Sequence, residues 1–438
     1  MSKKIFLSIF ISAIPISYIL GNFILNLNIL LITIFGLINY VQGFRFKVLN
    51  IDKIVVFFFF YILFTSIWNT VEINFFNSNV KNYFMLNKSI LFLRYLFLYF
   101  TMRLLVENKL IDYKIIFYSY SIVVLFVSID IIFQFFYTKD LLGFTSPNWH
   151  KRTGPFNDEE IAGGFIQRFS LFVFYTFIMF ASFKNLTSKV YLLSFVFFLI
   201  SISIIFSGNR MPLILFFISI FLILITNKTL KRYLIQIFIF VFLITFVTIN
   251  SSSQLKAYYK SFFDQSEKML SLFSYRITGV GSDLLYDKRP SYIHEFDAGI
   301  GTFKLNKYFG GGIKSFRFNC PSRKIENINE RTTCNMHPHN YYLEILTDLG
   351  IIGFLIFIAL VISVLFNAYK VLLFSNNKYI FSPFLYVFIM EIFPIKSSGS
   401  FFTTNNSTII FLSLGILASF LSEKLVAVPR GIEPRLDD

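Results

Sequence analysis

The sequence predicts an all-α protein: a polytopic membrane helical bundle of about twelve spans. Three observations carry that expectation. Only 15% of the 438 residues are charged and 55% are hydrophobic, with a mean hydropathy of +0.66. A soluble chain carries roughly 25% charge, so this composition cannot cover a water-facing surface. The apolar residues also gather into runs near the roughly 20 residues that cross a hydrocarbon core. Finally, every second connection between runs is short and basic, the signature of cytoplasmic loops. Together these exclude a soluble enzyme, a disordered chain and a disulfide-rich secreted scaffold. The net charge of +16 comes from cations spread between apolar runs. It therefore points to topology and anionic head groups, not to nucleic acid. The 62 phenylalanines read as codon bias, alongside abundant Ile, Lys and Asn, and carry no functional weight.

The runs lie near 5–20, 23–41, 54–70, 88–106, 114–137, 164–183, 190–207, 211–226, 233–249, 346–368, 379–394 and 406–423. The first follows Lys3 and Lys4 as a signal peptide would, but it lacks a small-residue cleavage site and another run follows at once, so it reads as a span. Basic connections follow in alternation: Arg45, Lys47 and Lys53; Lys109 and Lys114; Lys184 and Lys189; Lys228, Lys231 and Arg232; Lys370 and Lys378; Lys424 and Arg430. Both termini are therefore expected in the cytoplasm. The remaining connections face outward, and two are long, at about 138–163 and 250–345. The chain divides into an N-terminal bundle (1–249), an external region (250–345), C-terminal spans (346–425) and a polar cytoplasmic tail (426–438).

The external side holds the residues able to do chemistry. All four histidines, at 150, 294, 337 and 339, fall there. His337-Pro338-His339-Asn340 precedes an amphipathic stretch and then Gly350-Ile351-Ile352-Gly353, where small residues let helices approach closely. Histidine moves protons near neutral pH, although a loop-closing histidine held by backbone groups fits the same stretch. A His-x-His pair can also chelate, but no companion Asp or Cys cluster accompanies it, so no metal is expected. Arg210, after the turn Ser207-Gly208-Asn209, is either an interfacial cation or a planar phosphate ligand. Arg289 is a second candidate anion ligand, in competition with Arg276, Arg317, Arg323 and Arg331. Arg152, in Lys151-Arg152-Thr153-Gly154-Pro155-Phe156, sits either on an interfacial turn or against a polar head group. Cys320 and Cys334, the only cysteines, share the external region and are expected to pair in an oxidising compartment, closing a ring of about 15 residues. Neither a Walker loop nor a dinucleotide fingerprint is present. Fixed cations beside a histidine on the outer face describe an enzyme acting on an anionic lipid whose tail stays in the bilayer, with a preassembled, lipid-linked donor.

These residues resemble a known family. His339-Asn340, nine residues, then Gly350-x-x-Gly353 is similar to the signature of bacterial O-antigen ligases. Ser207-Gly208-Asn209-Arg210 resembles their Ser-x-x-Arg turn, and Arg152 through Phe156 with Gly163-Gly164 resembles their Arg-x-x-Gly-x-Phe loop. Arg289 with an aromatic three residues on resembles their external arginine segment, with Tyr292 where the family usually has Trp. The resemblance implies a metal-independent glycosyltransferase of GT-C-like fold, without a cofactor, in the bacterial inner membrane. It would move a glycan from undecaprenyl diphosphate to a hydroxyl of lipid A–core, with inversion and on the periplasmic face. His339 would be the base and Arg210 and Arg289 the diphosphate clamps, with Arg152, His337 and Asn340 contacting substrate. A repeat-unit polymerase of the same superfamily is the near alternative. A polysaccharide flippase is the distant one; it should place ionisable residues within its spans near the midplane, where charges are few: Arg94, Arg103, Asp130, Arg168 and Glu391, mostly near ends.

Overall fold

The computed structural model describes residues 2–76, 83–148, 150–180, 186–226, 231–278, 291–323, 334–375, 377–397 and 399–422. Those residues form an all-helical architecture with one isolated bridge, Lys139 to Thr145. The helices are α1 (Lys3–Ser12), α2 (Ile14–Ile19), α3 (Asn22–Val41), α4 (Asn50–Phe76), α5 (Phe84–Phe92), α6 (Arg94–Glu107), α7 (Tyr113–Tyr137) and α8 (Ala162–Met179). They continue with α9 (Leu186–Phe206), α10 (Arg210–Thr226), α11 (Lys231–Ser251), α12 (Ser253–Thr278), α13 (Ser291–Phe303), α14 (Phe316–Asn319), α15 (Tyr341–Phe374), α16 (Lys378–Glu391) and α17 (Thr404–Phe420).

Among the described residues seven helical stretches are long and apolar enough to cross a membrane, fewer than the twelve expected: Asn22–Val41, Asn50–Asn74, Phe84–Glu107, Tyr113–Tyr137, Ala162–Met179, Tyr233–Ser251 and Tyr341–Leu373. Val190–Phe206, Arg210–Thr226 and Thr404–Phe420 are apolar but shorter. The first run is divided at Ala13, because Pro15 sits in the opening turn of α2, where its missing N–H costs no hydrogen bond. The region 250–345, expected as an external loop, is largely helical where described: α12 restarts one residue after α11 and is polar rather than apolar.

The helices meet where small residues or flat rings allow it. A Cβ on Gly415 of α17 would lie 2.7 Å from the Tyr99 carbonyl oxygen of α6, and one on Gly353 of α15 would lie 2.9 Å from the Tyr61 ring of α4. Phe58, Phe92, Phe357 and Phe411, of α4, α5, α15 and α17, interlock with Phe401 of the connection before α17, mostly edge to face.

Side-chain contacts sort the connections into two ends. At one, Asn108 donates to the Arg45 carbonyl (2.8 Å) and the Asp112 amide to Ser8 Oγ (2.7 Å). At the other, Asn69 donates to the Gly310 carbonyl (3.1 Å), Tyr258 to the Gly208 carbonyl (2.7 Å) and Asn340 to the Pro394 carbonyl (2.8 Å). The connections around Arg45 and Asn108 lie at the first end, and the His337–His339 pair and the connection 392–403 at the second.

Candidate active site

Arg210 opens α10 immediately after a turn built for close approach. Gly208 has φ +68°, and a Cβ there would lie 2.4 Å from the His150 carbonyl oxygen; a Cβ on Gly163 would lie 2.4 Å from Ser207 Oγ. The turn thus locks α8, α10 and the segment around His150 together. Helix α12 then clasps Arg210. The guanidinium lies 3.9 Å from the Tyr258 ring centroid, and its Nη2 donates to the Tyr258 carbonyl at 2.8 Å. The buried Nε has no partner. One edge of the fork is thus committed to the protein.

Arg210 lines a cavity of about 560 Å³. Its lining holds five cations, Lys151, Arg168, Arg210, Lys314 and Lys396, against three carboxylates, Glu159, Glu160 and Glu391. Lys151 is paired with Glu160. Glu391 is shared: Arg168 Nε donates to it at 2.5 Å, Lys396 Nζ at 2.8 Å and the Tyr341 hydroxyl at 3.1 Å. Arg168 also reaches the Tyr18 hydroxyl at 2.6 Å. Burial, partly offset by Glu391, pulls the Lys396 ammonium down to about 8. The cavity therefore carries an excess of positive charge that its own acids do not neutralise.

Lys314 reaches the cavity from a turn at φ +59° whose backbone is fixed by Asp348 of α15. That carboxylate accepts from the amides of Lys314 (2.6 Å) and Phe316 (3.3 Å) and from Ser315 Oγ (3.1 Å). The approach is possible because α15 breaks at Gly350, φ +66°, where a Cβ would lie 2.3 Å from the Tyr308 carbonyl oxygen. Gly350 thus admits the backbone around Gly310, while Gly353 packs α15 on α4. Burial lowers the Lys314 ammonium from its ordinary range.

The two histidines sit together at the head of α15. Their ring centroids are 4.4 Å apart. Burial, then the charges of His339, Lys314 and Arg317, push His337 down to about 4, and its Nε2 has no hydrogen-bond partner. His339 has φ +50°, a conformation uncommon for a non-glycine residue. Asn340 fixes it there: its carboxamide oxygen accepts from the amides of Tyr342 (3.0 Å) and Leu343 (3.2 Å), and its nitrogen donates to the carbonyls of Pro394 and Lys396. Neither histidine lines the cavity; Lys314 does, and its charge is felt at His337.

The other expected residues are dispersed. Arg152 lies over the Phe135 ring at 5.6 Å, is lowered from its ordinary range by burial and does not line the cavity, whereas its neighbour Lys151 does. Arg289 lies outside the described residues. Cys320 and Cys334 are joined by a disulfide, Cα atoms 5.7 Å apart, which tethers the chain three residues before His337. No group of three or more His, Cys, Asp or Glu side chains placed to hold a metal occurs among the described residues.

Lys396, Lys314 and Tyr258 were not singled out from sequence, and Arg168 and Glu391 were noted only as charges within apolar runs, not as a pair. A signal existed for the pair: two opposite charges in separate apolar runs are expected to meet. Lys396 sits in a short, unremarkable connection that carries no motif.

Residues 195–358 match the family model described as O-Antigen ligase. No curated protein sequence matches the chain. The match runs from within α9 through the first half of α15, including Arg210, the histidine pair and both glycines, and supports an O-antigen ligase-related superfamily for this helical membrane protein.

Proposed function

We propose that the protein transfers a glycan from undecaprenyl diphosphate to an acceptor hydroxyl on lipid A–core, at the outer face of the bacterial inner membrane, with both termini in the cytoplasm. The observation that carries this reading is the cation-rich cavity bearing Arg210 at the same end of the bundle as the His337–His339 pair, with Lys314 lining the cavity and its charge felt at His337. The family match at 195–358 supports the reaction class.

The chemistry needs two things. A sugar hydroxyl attacks well only as its proton leaves, and a lipid diphosphate departs well only when fixed cations meet its growing charge. His339 takes the hydroxyl proton as the acceptor oxygen bonds to the anomeric carbon. The bond from that carbon to the diphosphate breaks on the opposite side, giving inversion, and the diphosphate leaves as an anion held by Arg210 and Arg289. His337, beside it and neutral, shapes the acceptor pocket with Asn340, and Arg152 supports the acceptor side. No metal takes part.

Transfer with purified protein, lipid-linked donor and acceptor in the presence of a chelator tests this. His339→Ala should lower transfer by about 10²–10⁴-fold, the usual worth of a general base, while retaining donor binding. Arg210→Lys keeps the charge and loses the fork, and should lower turnover strongly; His337→Ala should lose less than His339→Ala. Inhibition by the chelator, or an active His339→Ala beside a dead His337→Ala, would sink the assignment. Surface glycan from a deletion strain separates the two activities of the superfamily. A ligase mutant accumulates long chains unattached to lipid A; a polymerase mutant shows core plus one repeat.

A further inference from the structure

The connection 392–403, between α16 and α17, stands in the wall of the cavity and carries a cation that the resemblance did not name. Lys396 is 5% exposed. A buried ammonium is costly unless paired, and it normally sits one to one with a carboxylate. Here one carboxylate, Glu391, serves two cations: Arg168 takes Oε1 at 2.5 Å and Oε2 at 3.2 Å, and Lys396 takes Oε2 at 2.8 Å. The remaining neighbour of Lys396 is the neutral Tyr341 hydroxyl at 3.0 Å. The group is thus left with one uncancelled positive charge, and both cations line the cavity into which Arg210 also faces.

We propose that Lys396 is a second anion ligand of this cavity, binding the diphosphate of the lipid-linked donor together with Arg210. The inference rests on the donor reading above and deepens it by naming a contact from the C-terminal part of the chain. Two features support it beyond charge. The connection is held from several sides: Asn340 donates to the Lys396 carbonyl (3.3 Å), Tyr342 to that of Ile392 (2.6 Å), and Glu344 accepts from Ser400 Oγ (2.5 Å) and the Phe401 amide (2.6 Å). A pre-positioned ligand loses little freedom on binding. The same contacts join Lys396 to the helix head that bears His339, so the anion and the base would be registered by one piece of backbone.

The groups that face Lys396 are Glu391 on α16, Arg168 on α8 and Tyr341 on α15, with Tyr18 on α2 behind Arg168. Its ammonium, drawn down to about 8, is charged at neutral pH and loses its proton within an accessible alkaline range. An incoming dianion favours the charged form, so donor affinity should weaken as pH rises through that range.

The experiment is binding of undecaprenyl diphosphate and, separately, undecaprenol to the purified full-length protein in lipid nanodiscs. Lys396→Met should raise the Kd for the diphosphate about tenfold at pH 7 and leave undecaprenol within about threefold, since Glu391 keeps Arg168. Lys396→Arg should bind the diphosphate within about threefold of wild type at pH 7 and lose less affinity than wild type on going to pH 9.5. This variant decides the matter if the methionine variant does not fold. A methionine variant that binds the diphosphate like wild type, or loses both lipids equally, overturns the role of Lys396, as does an arginine variant with the wild-type alkaline loss. Wild-type protein that does not hold the diphosphate overturns the donor reading itself, and the role of Lys396 with it.

Discussion

Two buried ion clusters mark the two ends of the bundle, and they are built oppositely. At the basic end Arg103, fully buried, meets Asp52 (3.0 Å) and Glu107 (3.4 Å), and Tyr99 donates to Asp52 at 2.5 Å. One cation stands between two acids. At the cavity end one acid, Glu391, stands between Arg168 and Lys396. Burying charge costs several kcal/mol per ion, so a cluster persists only if the protein offsets it or uses it. The first cluster joins α4 to α6 and answers only to packing. The second borders open volume and leaves positive charge for a ligand. The lesson is that a buried Arg–carboxylate pair is not itself a functional signal; the excess sign and the adjoining cavity are.

The largest expected effect breaks this contrast directly. Arg103→Met strands Asp52 and Glu107 without a cation and should cost about 3–5 kcal/mol of stability, the usual penalty for removing one partner of a buried pair. Protein that remains folded should keep wild-type affinity for undecaprenyl diphosphate. Arg168→Met leaves Glu391 with Lys396, so the thermal midpoint in detergent should fall less, while lipid diphosphate affinity drops. Equal behaviour of the two variants in melting and in binding would erase the distinction.

A smaller effect sharpens the contrast at the backbone. Gly415→Ala forces a methyl to 2.7 Å from the Tyr99 carbonyl beside the Arg103 cluster, and overpacking of this kind costs about 1–3 kcal/mol. Its cost should appear in melting alone. Gly350→Ala must adopt φ +66°, unfavourable by about 1–2 kcal/mol for a residue with a Cβ, and must displace the Tyr308 carbonyl 2.3 Å away. That displacement moves the segment bearing Lys314, so transfer should fall further than the melting shift accounts for. If Gly350→Ala melts early with full activity per folded molecule, the Gly350 break serves packing only.

Much of this was legible in the sequence, for reasons that also explain what was not. Helix identity followed from apolar runs, because length and hydropathy are local properties. The span count did not, because crossing depends on continuity and length: Ala13 interrupts the first run, and Val190–Phe206, Arg210–Thr226 and Thr404–Phe420 fall short of a full span. Arg210, the histidine pair and the glycines were visible because motif spacing is carried by neighbouring residues. The local strain could not be read: His339 at φ +50° precedes an Asn340 held by the Lys396 carbonyl, and Gly350 docks against Tyr308, both partners remote in sequence. Lys396 escaped for the same reason; its character comes from Glu391 and Arg168, gathered from α16 and α8.

The smallest effect concerns pH and separates the two adjacent histidines. Burial, then electrostatic repulsion from the side of His339, Lys314 and Arg317, holds His337 at about 4, below the ordinary 6.5 of imidazole. Between those values the unfolded chain takes up a proton that the folded protein refuses. Stability from this group is therefore full above about pH 6.5 and is lost as pH falls toward 4, by at most about 1.4 kcal/mol per pH unit. The side chain is only partly buried, so solvent screening lowers that slope. Melting in detergent between pH 7.5 and pH 5 should show a decline in the wild type that is shallower in His337→Gln, because glutamine has no proton to gain. His339→Gln should retain the wild-type decline, since His337 remains, and should instead be recognised by lost transfer. If His337→Gln declines as steeply as wild type, the acid sensitivity lies elsewhere. His337 would then not be the buried neutral partner that the 4.4 Å ring contact makes it.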